Sequence, residues 1–214
     1  MTGPTIDDAI ADYDRLAFEL APRYAAAGAD RFIARHKAIL PPLPGPVLDV
    51  GAGSGAHAAA FAALGYRVVA VEPSAGMRAE AARLFPDAVL EWVDDRLPAL
   101  TTLRTRGERF GFILVNAVWM HVPPADRDAA CAALVDLAAP GAVLSVALRQ
   151  GPAPAGRAMH DCDPDTVADE FARHGFDEID RSRHDGGAAA PGATFVRLNL
   201  RRAMVISPPT GSLP

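Results

Sequence analysis

Apolar positions follow two different periods along this chain. Near the N-terminus, Ile6, Ala9, Ile10, Tyr13, Leu16, Ala17 and Leu20 recur at steps of three and four, which predicts an amphipathic helix behind a Thr5–Asp8 capping box. A second helix is expected from about Asp30 to Leu40, burying Phe32, Ile33 and Ile39. The proline-rich run Pro41 to Pro46 breaks it. From there the pattern changes to short continuous apolar runs: Val47–Val50, Tyr66–Val71, Asp87–Val93, Phe110–Asn116 and Ala142–Leu148. Runs of this kind fit strands buried on both faces. Helical segments separate them: Ala56–Leu64, a Ser74-capped helix to about Leu84, one from Pro123 to about Ala138, and one capped by Asp163 that ends at Gly175. Leu97–Arg106 reads as a short helix or a loop. Strands alternating with helices predict an α/β domain with a largely parallel sheet. Phe176–Arg183 and Ala193–Arg201, joined by the Gly/Ala loop Asp185–Gly192, then predict a closing hairpin.

The 214 residues suit one domain, divided here into a helical cap and linker over 1–45, a main body over 46–202 and a loose tail over 203–214. Half the residues are hydrophobic and 22% are charged, a globular composition. Net charge is −5 and the sequence pI about 5.6, which speaks against a nucleic-acid or anionic-membrane footprint. All of the 21 basic residues except Lys37 are Arg, a bias that suits genome composition better than function. No apolar run approaches the ~20 residues of a spanning helix, and no signal-like segment follows Met1. Cys131 and Cys162 match no metal or redox spacing, so both are expected as free thiols in a cytoplasmic protein.

The chemistry is concentrated at Val47–Phe61, VLDVGAGSGAHAAAF. A strand ends at Gly51-Ala-Gly53-Ser-Gly55, where glycines let the backbone turn and approach a ligand, and a helix N-terminus follows. Asp49 sits two places before Gly51, and the next strand ends in Glu72, at the distance where a carboxylate reaches ribose hydroxyls. In these pieces the chain resembles the class I S-adenosylmethionine-dependent methyltransferases. LDVGAGSG, VVAVEPSAGM, WVDDRLP, FILVNAVWMHV and APGAVLSVAL stand in that family's order over roughly residues 45 to 150.

The resemblance implies a Rossmann-like, mostly parallel seven-stranded sheet with an antiparallel C-terminal hairpin strand and N-terminal helices over the site. It implies S-adenosylmethionine as cofactor, S-adenosylhomocysteine as product, and no metal. It puts Asp49, Gly51, Ala52, Gly53, Glu72, Pro73, Asn116 and Ala117 around the cofactor, with Glu72 on the ribose and Met77 against adenine. A carboxylate for the adenine amino group falls on Asp94 first and Asp95 second. Tyr13 and Tyr24 match the family's N-terminal tyrosines, although packing on the core explains them equally well. Trp119, Met120 and His121 follow the central strand and are placed towards the acceptor, with His121 as general base because its ordinary pKa of ~6.5 suits neutral pH. Arg149 and His160 are candidates for an acceptor's carboxylate or phosphate. His36, His57, His174 and His184 carry no positional argument.

Absences narrow the acceptor. Asn116-Ala-Val-Trp119 begins and ends like the Asn-Pro-Pro-aromatic motif of amino-methylating enzymes but lacks both prolines. No acidic run follows the fourth strand as in catechol-type enzymes, so Mg²⁺ is not implied. A small-molecule acceptor is expected, with the protein a monomer or homodimer and no nucleic acid or membrane as partner. Two alternatives stay open. Gly51-x-Gly53-x-x-Ala56 also satisfies the dinucleotide variant of an NAD(P)-dependent oxidoreductase. The cofactor motifs alone would equally suit a non-catalytic S-adenosylmethionine-binding regulatory module.

Overall fold

The computed structural model describes residues 5–154, 157, 159–187 and 190–204. Seven strands form one sheet in the order β3-β2-β1-β4-β5-β7-β6. They are β1 (Pro46–Val50), β2 (Arg67–Val71), β3 (Glu91–Val93), β4 (Phe110–Asn116), β5 (Ala138–Gln150), β6 (Phe176–Asp185) and β7 (Thr194–Arg202). The β3-β2-β1-β4-β5 pairs are parallel, and β7 runs antiparallel between β5 and β6. The helices are α1 (Ile6–Ala25), α2 (Ala29–His36), α3 (Ala56–Ala63), α4 (Ala75–Leu84), α5 (Thr101–Thr105), α6 (Arg127–Leu137) and α7 (Pro164–Arg173).

The strand pleat sorts the core into two layers. Leu48, Val50, Ile113, Val115, Leu144, Val146, Leu198 and Leu200 point to one face, where Trp119, Leu134, Leu137 and Phe171 cover them. Val47, Val68, Ala70, Phe112 and Leu114 point to the other, against Phe32, Ile33, Ala58 and Phe61. Both layers are needed because these strands carry apolar side chains on each face. The order reverses between β1 and β4, so a crevice opens beyond their carboxyl ends.

The N-terminal helices are tied to this frame. Ser74 caps α4 through a bond from the Met77 N–H at 3.0 Å and donates its hydroxyl to Asp14 of α1 at 2.6 Å. The same Asp14 oxygen accepts the Gly76 N–H at 2.8 Å. These bonds hold the Asp14 carboxyl below its ordinary pKa, so it stays ionised at the positive end of α4. A side chain at Gly76 would meet Asp14 and Ala17 at 3.0 Å, so the two helices touch closely.

Several boundaries differ from the pattern-based expectation. The second helix stops at His36 and tightens into a 3-10 turn over Lys37–Ile39. The helix expected from Pro123 begins as a 3-10 turn, Pro124–Asp126, before α6. β3 is confined to Glu91–Val93; upstream, Val89 is 88% exposed and has nothing to pack against. β5 starts at Ala138 rather than Ala142. Ala138 opposes Phe110 while Val143 opposes Phe112, so Pro140-Gly141 forms a bulge within the strand instead of ending the helix, with Gly141 at φ 76°. The tail beyond residue 204 lies outside the described residues, as do parts of the 149–156 link and the 185–192 loop.

Candidate active site

One cavity of about 760 Å³ opens beyond the strand ends at the switch point. That volume lies in the upper part of the ~300–1,000 Å³ range of small-molecule pockets. Asp49, Gly51, Ala52, Gly53, Glu72, Pro73, Met77 and Asp95 line one end, and Asn116, Ala117, Met120, His121, Tyr13, Tyr24 and Arg149 line the rest with α2 and the β7 end.

The glycine loop is shaped by its own backbone. Gly51 and Ala52 donate their N–H groups to the Val71 carbonyl at 2.8 and 2.9 Å, which folds the loop over the end of β2. Gly51 has φ 70°, and a Cβ there would meet Val118 at 2.5 Å, so glycine is required twice over. Glu72 is buried, and its two carboxylate oxygens accept the Gly53 N–H at 2.8 Å and the Ser74 N–H at 2.9 Å. Burial pushes its pKa up, against those bonds and the nearby Arg78. Each oxygen keeps a free lone pair, which suits a pair of vicinal hydroxyls. Asp49 is more extreme. Burial, then repulsion from Glu72, raises its pKa to about 7, and Asp49 Oδ2 has no partner among the described residues. An orphaned buried acceptor on a ligand cavity fits a cationic or hydrogen-bonding ligand group. Met77 is fully buried, with its methyl 3.5 Å from where a Gly53 side chain would start.

The two aspartates after β3 change places relative to expectation. Asp94 lies on the surface, 69% exposed, and pairs with Arg78 at 3.0 Å. Asp95 is the one on the cavity wall, held by the N–H groups of Arg96 and Leu103 at 2.9 Å each. The pleat decides this: Val93 is the last strand residue and turns inward, so Asp94 points out and Asp95 returns.

Trp119 does not face the acceptor side as its place after the central strand predicts. Its indole is fully buried 4.8 Å from the Phe171 ring and donates to Glu170 at 3.4 Å. After Ala117, at φ 59°, residues 119–121 form a 3-10 turn, whose successive side chains point about 120° apart. Trp119 therefore enters the α7 layer while Met120 and His121 face the cavity. His160 is also off the wall; its N–H is tied to the Met120 carbonyl at 2.8 Å, and the adjacent Met159 reaches the cavity instead. Arg149 lines the cavity but spends its guanidinium on the Gly151 and Pro152 carbonyls, at 3.1 and 2.6 Å.

His121 Nε2 lies 3.2 Å from the Tyr13 hydroxyl, and the rings meet edge-on at 5.5 Å. Arg157, which no motif or spacing marks, donates to the Tyr24 hydroxyl at 2.7 Å and the Tyr13 hydroxyl at 3.5 Å, and covers the Tyr13 ring. Burial and the neighbouring Tyr24 raise the Tyr13 pKa despite that cation, so Tyr13 remains a phenol. His36, His57 and His184 also line the cavity, although nothing in their spacing marked them. Burial holds all three imidazoles below their ordinary pKa, His57 down to about 3. In Phe195-Val-Arg-Leu-Asn-Leu200 the alternation puts Arg197 on the face opposite Val196, Leu198 and Leu200, and nothing in that pattern marks it as buried.

Comparison with known proteins agrees with this geometry. Residues 47–141 match the family model of the methyltransferase domain. The matched stretch runs from β1 into β5 and takes in the glycine loop, Glu72 and His121. That match, with β7 antiparallel in the sheet, speaks against the nicotinamide-enzyme alternative. No curated protein sequence matches the chain significantly. Among solved structures, the Burkholderia thailandensis 1,6-didemethyltoxoflavin-N1-methyltransferase superposes with TM-score 0.71 at 19% identity, covering 92% of this chain and 88% of that one. The Synechocystis magnesium protoporphyrin IX methyltransferase gives 0.69 at 18% identity, over 94% and 100%. The glycopeptide N-methyltransferase MtfA gives 0.64 at 20% identity, over 83% and 96%. At these identities the likeness concerns the fold. No helix is long and apolar enough to cross a membrane among the described residues.

Proposed function

We propose that this methyltransferase moves a methyl group to a small-molecule acceptor, with residues 1–45 acting as the cap of the 46–202 domain. The observation that carries the reading is the single cavity running from the glycine loop and Glu72 to His121 and Tyr13. Solved neighbours act on a glycopeptide, a toxoflavin precursor and a porphyrin, which favours a small organic acceptor here. S-adenosylmethionine, when bound, supplies a sulfonium-activated methyl group that leaves by in-line displacement. The chain's part is to bind, align and exclude water. Glu72 holds the ribose hydroxyls, Asp49 the donors of the cofactor's amino-acid end, Met77 and Asp95 the adenine. Gly51, Ala52, Gly53, Pro73, Asn116 and Ala117 shape the seat. Tyr13 orients the His121 imidazole, which takes a proton from the acceptor as its nucleophilic atom attacks. Tyr24 and Arg157 close the cap over that pair. The protein acts in the cytoplasm as a monomer or homodimer, without nucleic acid or membrane.

Calorimetric titration with S-adenosylmethionine, S-adenosylhomocysteine and NAD(H) tests the cofactor assignment. Micromolar binding of the adenosyl ligands alone, lost in Glu72→Ala, is the expected result. Binding of NAD(H) alone would overturn it.

A further inference from the structure

The far lobe of the cavity, between α2 and the ends of β6 and β7, has no task in cofactor binding. Its floor is Arg197, 4% exposed. The β7 pleat sends Val196, Leu198 and Leu200 into the core and turns Arg197 to the opposite face. The guanidinium donates to Ser145 Oγ at 3.1 Å and to Asn116 Oδ1 at 2.6 Å, and lies 4.7 Å from the Phe32 ring centre. All three neighbours are neutral, and no carboxylate forms an ion pair with Arg197 among the described residues. Buried guanidinium groups are ordinarily paired with an anion, because taking a charge out of water is costly. Here burial and the repulsion of Arg35 lower the Arg197 pKa to about 10, which leaves it fully cationic at neutral pH.

Unsatisfied groups cluster around it. Ser182, the cross-strand partner of Arg197, has a buried hydroxyl without a partner, and so does His184 Nδ1 two residues on. Arg35 lines the same lobe and makes no ion pair among the described residues. The wall carboxylates Asp49, Glu72 and Asp95 belong to the cofactor end, and Asp185 stands at the β6 terminus. A cationic wall on a chain of net charge −5 is a local feature, and a low-dielectric cleft focuses such a field on a ligand. The remaining surface of the lobe is largely ring: Phe32, His36, His57 and His184.

We infer that this lobe is an anion subsite, and that the methyl acceptor is an aromatic acid whose carboxylate or phosphate seats on Arg197 with Arg35 at the mouth. This rests on the methyltransferase reading above. A guanidinium fork matches either oxyanion through paired N–H bonds, and an anion there would also offer a partner to His184 on the same wall.

The test uses the protein saturated with S-adenosylhomocysteine and titrates benzoate, phenyl phosphate and benzamide. At least one of the two acids should bind about tenfold or more tightly than the isosteric, uncharged benzamide. Whichever acid binds more tightly names the anionic group. Arg35→Gln, at an exposed position, should remove much of that preference, and Arg197→Gln all of it, with benzamide binding unchanged in both. Equal binding of benzamide and the acids would overturn the inference, as would an undiminished preference in Arg35→Gln and Arg197→Gln. If Arg197→Gln does not fold, Arg35→Gln decides alone. Failure of S-adenosylhomocysteine itself to bind would strike the methyltransferase reading, whereas its binding without any anion preference would strike only the subsite.

Discussion

The two ends of the cavity are built in opposite ways. The proposed cofactor end draws mainly on one stretch of chain: Asp49, the glycine loop, Glu72, Ser74 and Met77 follow one another, and the groups offered are carboxylates and backbone amides. The proposed acceptor end draws on α1, α2, the turn after β4, the segment after β5 and the ends of β6 and β7. Tyr13 and Arg157, which touch there, stand 144 positions apart. Its side chains are tyrosine, histidine and arginine. A ligand with fixed ribose and adenine groups can be met by local backbone geometry. An acceptor is met by whatever the topology brings over the strand ends, which is where such folds vary their chemistry.

Substitutions can break or sharpen this contrast. The largest effect is expected at the acceptor end: His121→Gln should lower kcat by about 10²–10⁴, the usual contribution of a positioned base, with little change in S-adenosylhomocysteine affinity. Single-turnover measurement checks it, and unchanged turnover would remove the base from the acceptor end. At the cofactor end, Glu72→Ala deletes two charge-assisted acceptors, each worth about 1.5 kcal/mol or more, so affinity should fall about 100-fold by calorimetry. The paired variants Asp95→Asn and Asp94→Asn sharpen the boundary of that end. The first should weaken cofactor binding about tenfold, the loss of one bond to a charged group, while the second, a surface pair, should cost well under 1 kcal/mol of stability and leave affinity alone. Equal effects would return Asp94 to the site.

A separate test of the buried carboxylate uses pH on the ligand-free protein. The folded-state pKa of Asp49 is raised from 3.8 to about 7, so the native state holds its proton more tightly than the unfolded chain. Its contribution to stability is fully present below about pH 4 and is lost as pH rises towards 7. Melting curves of wild type minus Asp49→Asn should therefore show wild type losing ground across that window. A flat difference would mean Asp49 is ionised throughout.

Much of the sheet was legible because buried parallel strands announce themselves as short apolar runs and their glycine turn has few alternatives. VLDV, RVVAV and FGFILVN fell where expected, and Gly51 was marked by a conformation that only glycine adopts without strain. What the linear pattern could not carry was direction. Asp94 and Asp95 are equivalent in sequence, and only the pleat at Val93 decides which faces inward. Trp119, Met120 and His121 are consecutive, and only the 3-10 turn separates the indole from the cavity. Nor could it carry convergence: Arg157 and Arg197 read as ordinary arginines until β7 inserts between β5 and β6 and the cap closes over them. Sequence by itself determined the fold class and marked most of the proposed cofactor end, because both rest largely on neighbours in the chain. The tertiary structure decided the acceptor end, because a site assembled from distant segments exists only once packing has fixed which faces meet.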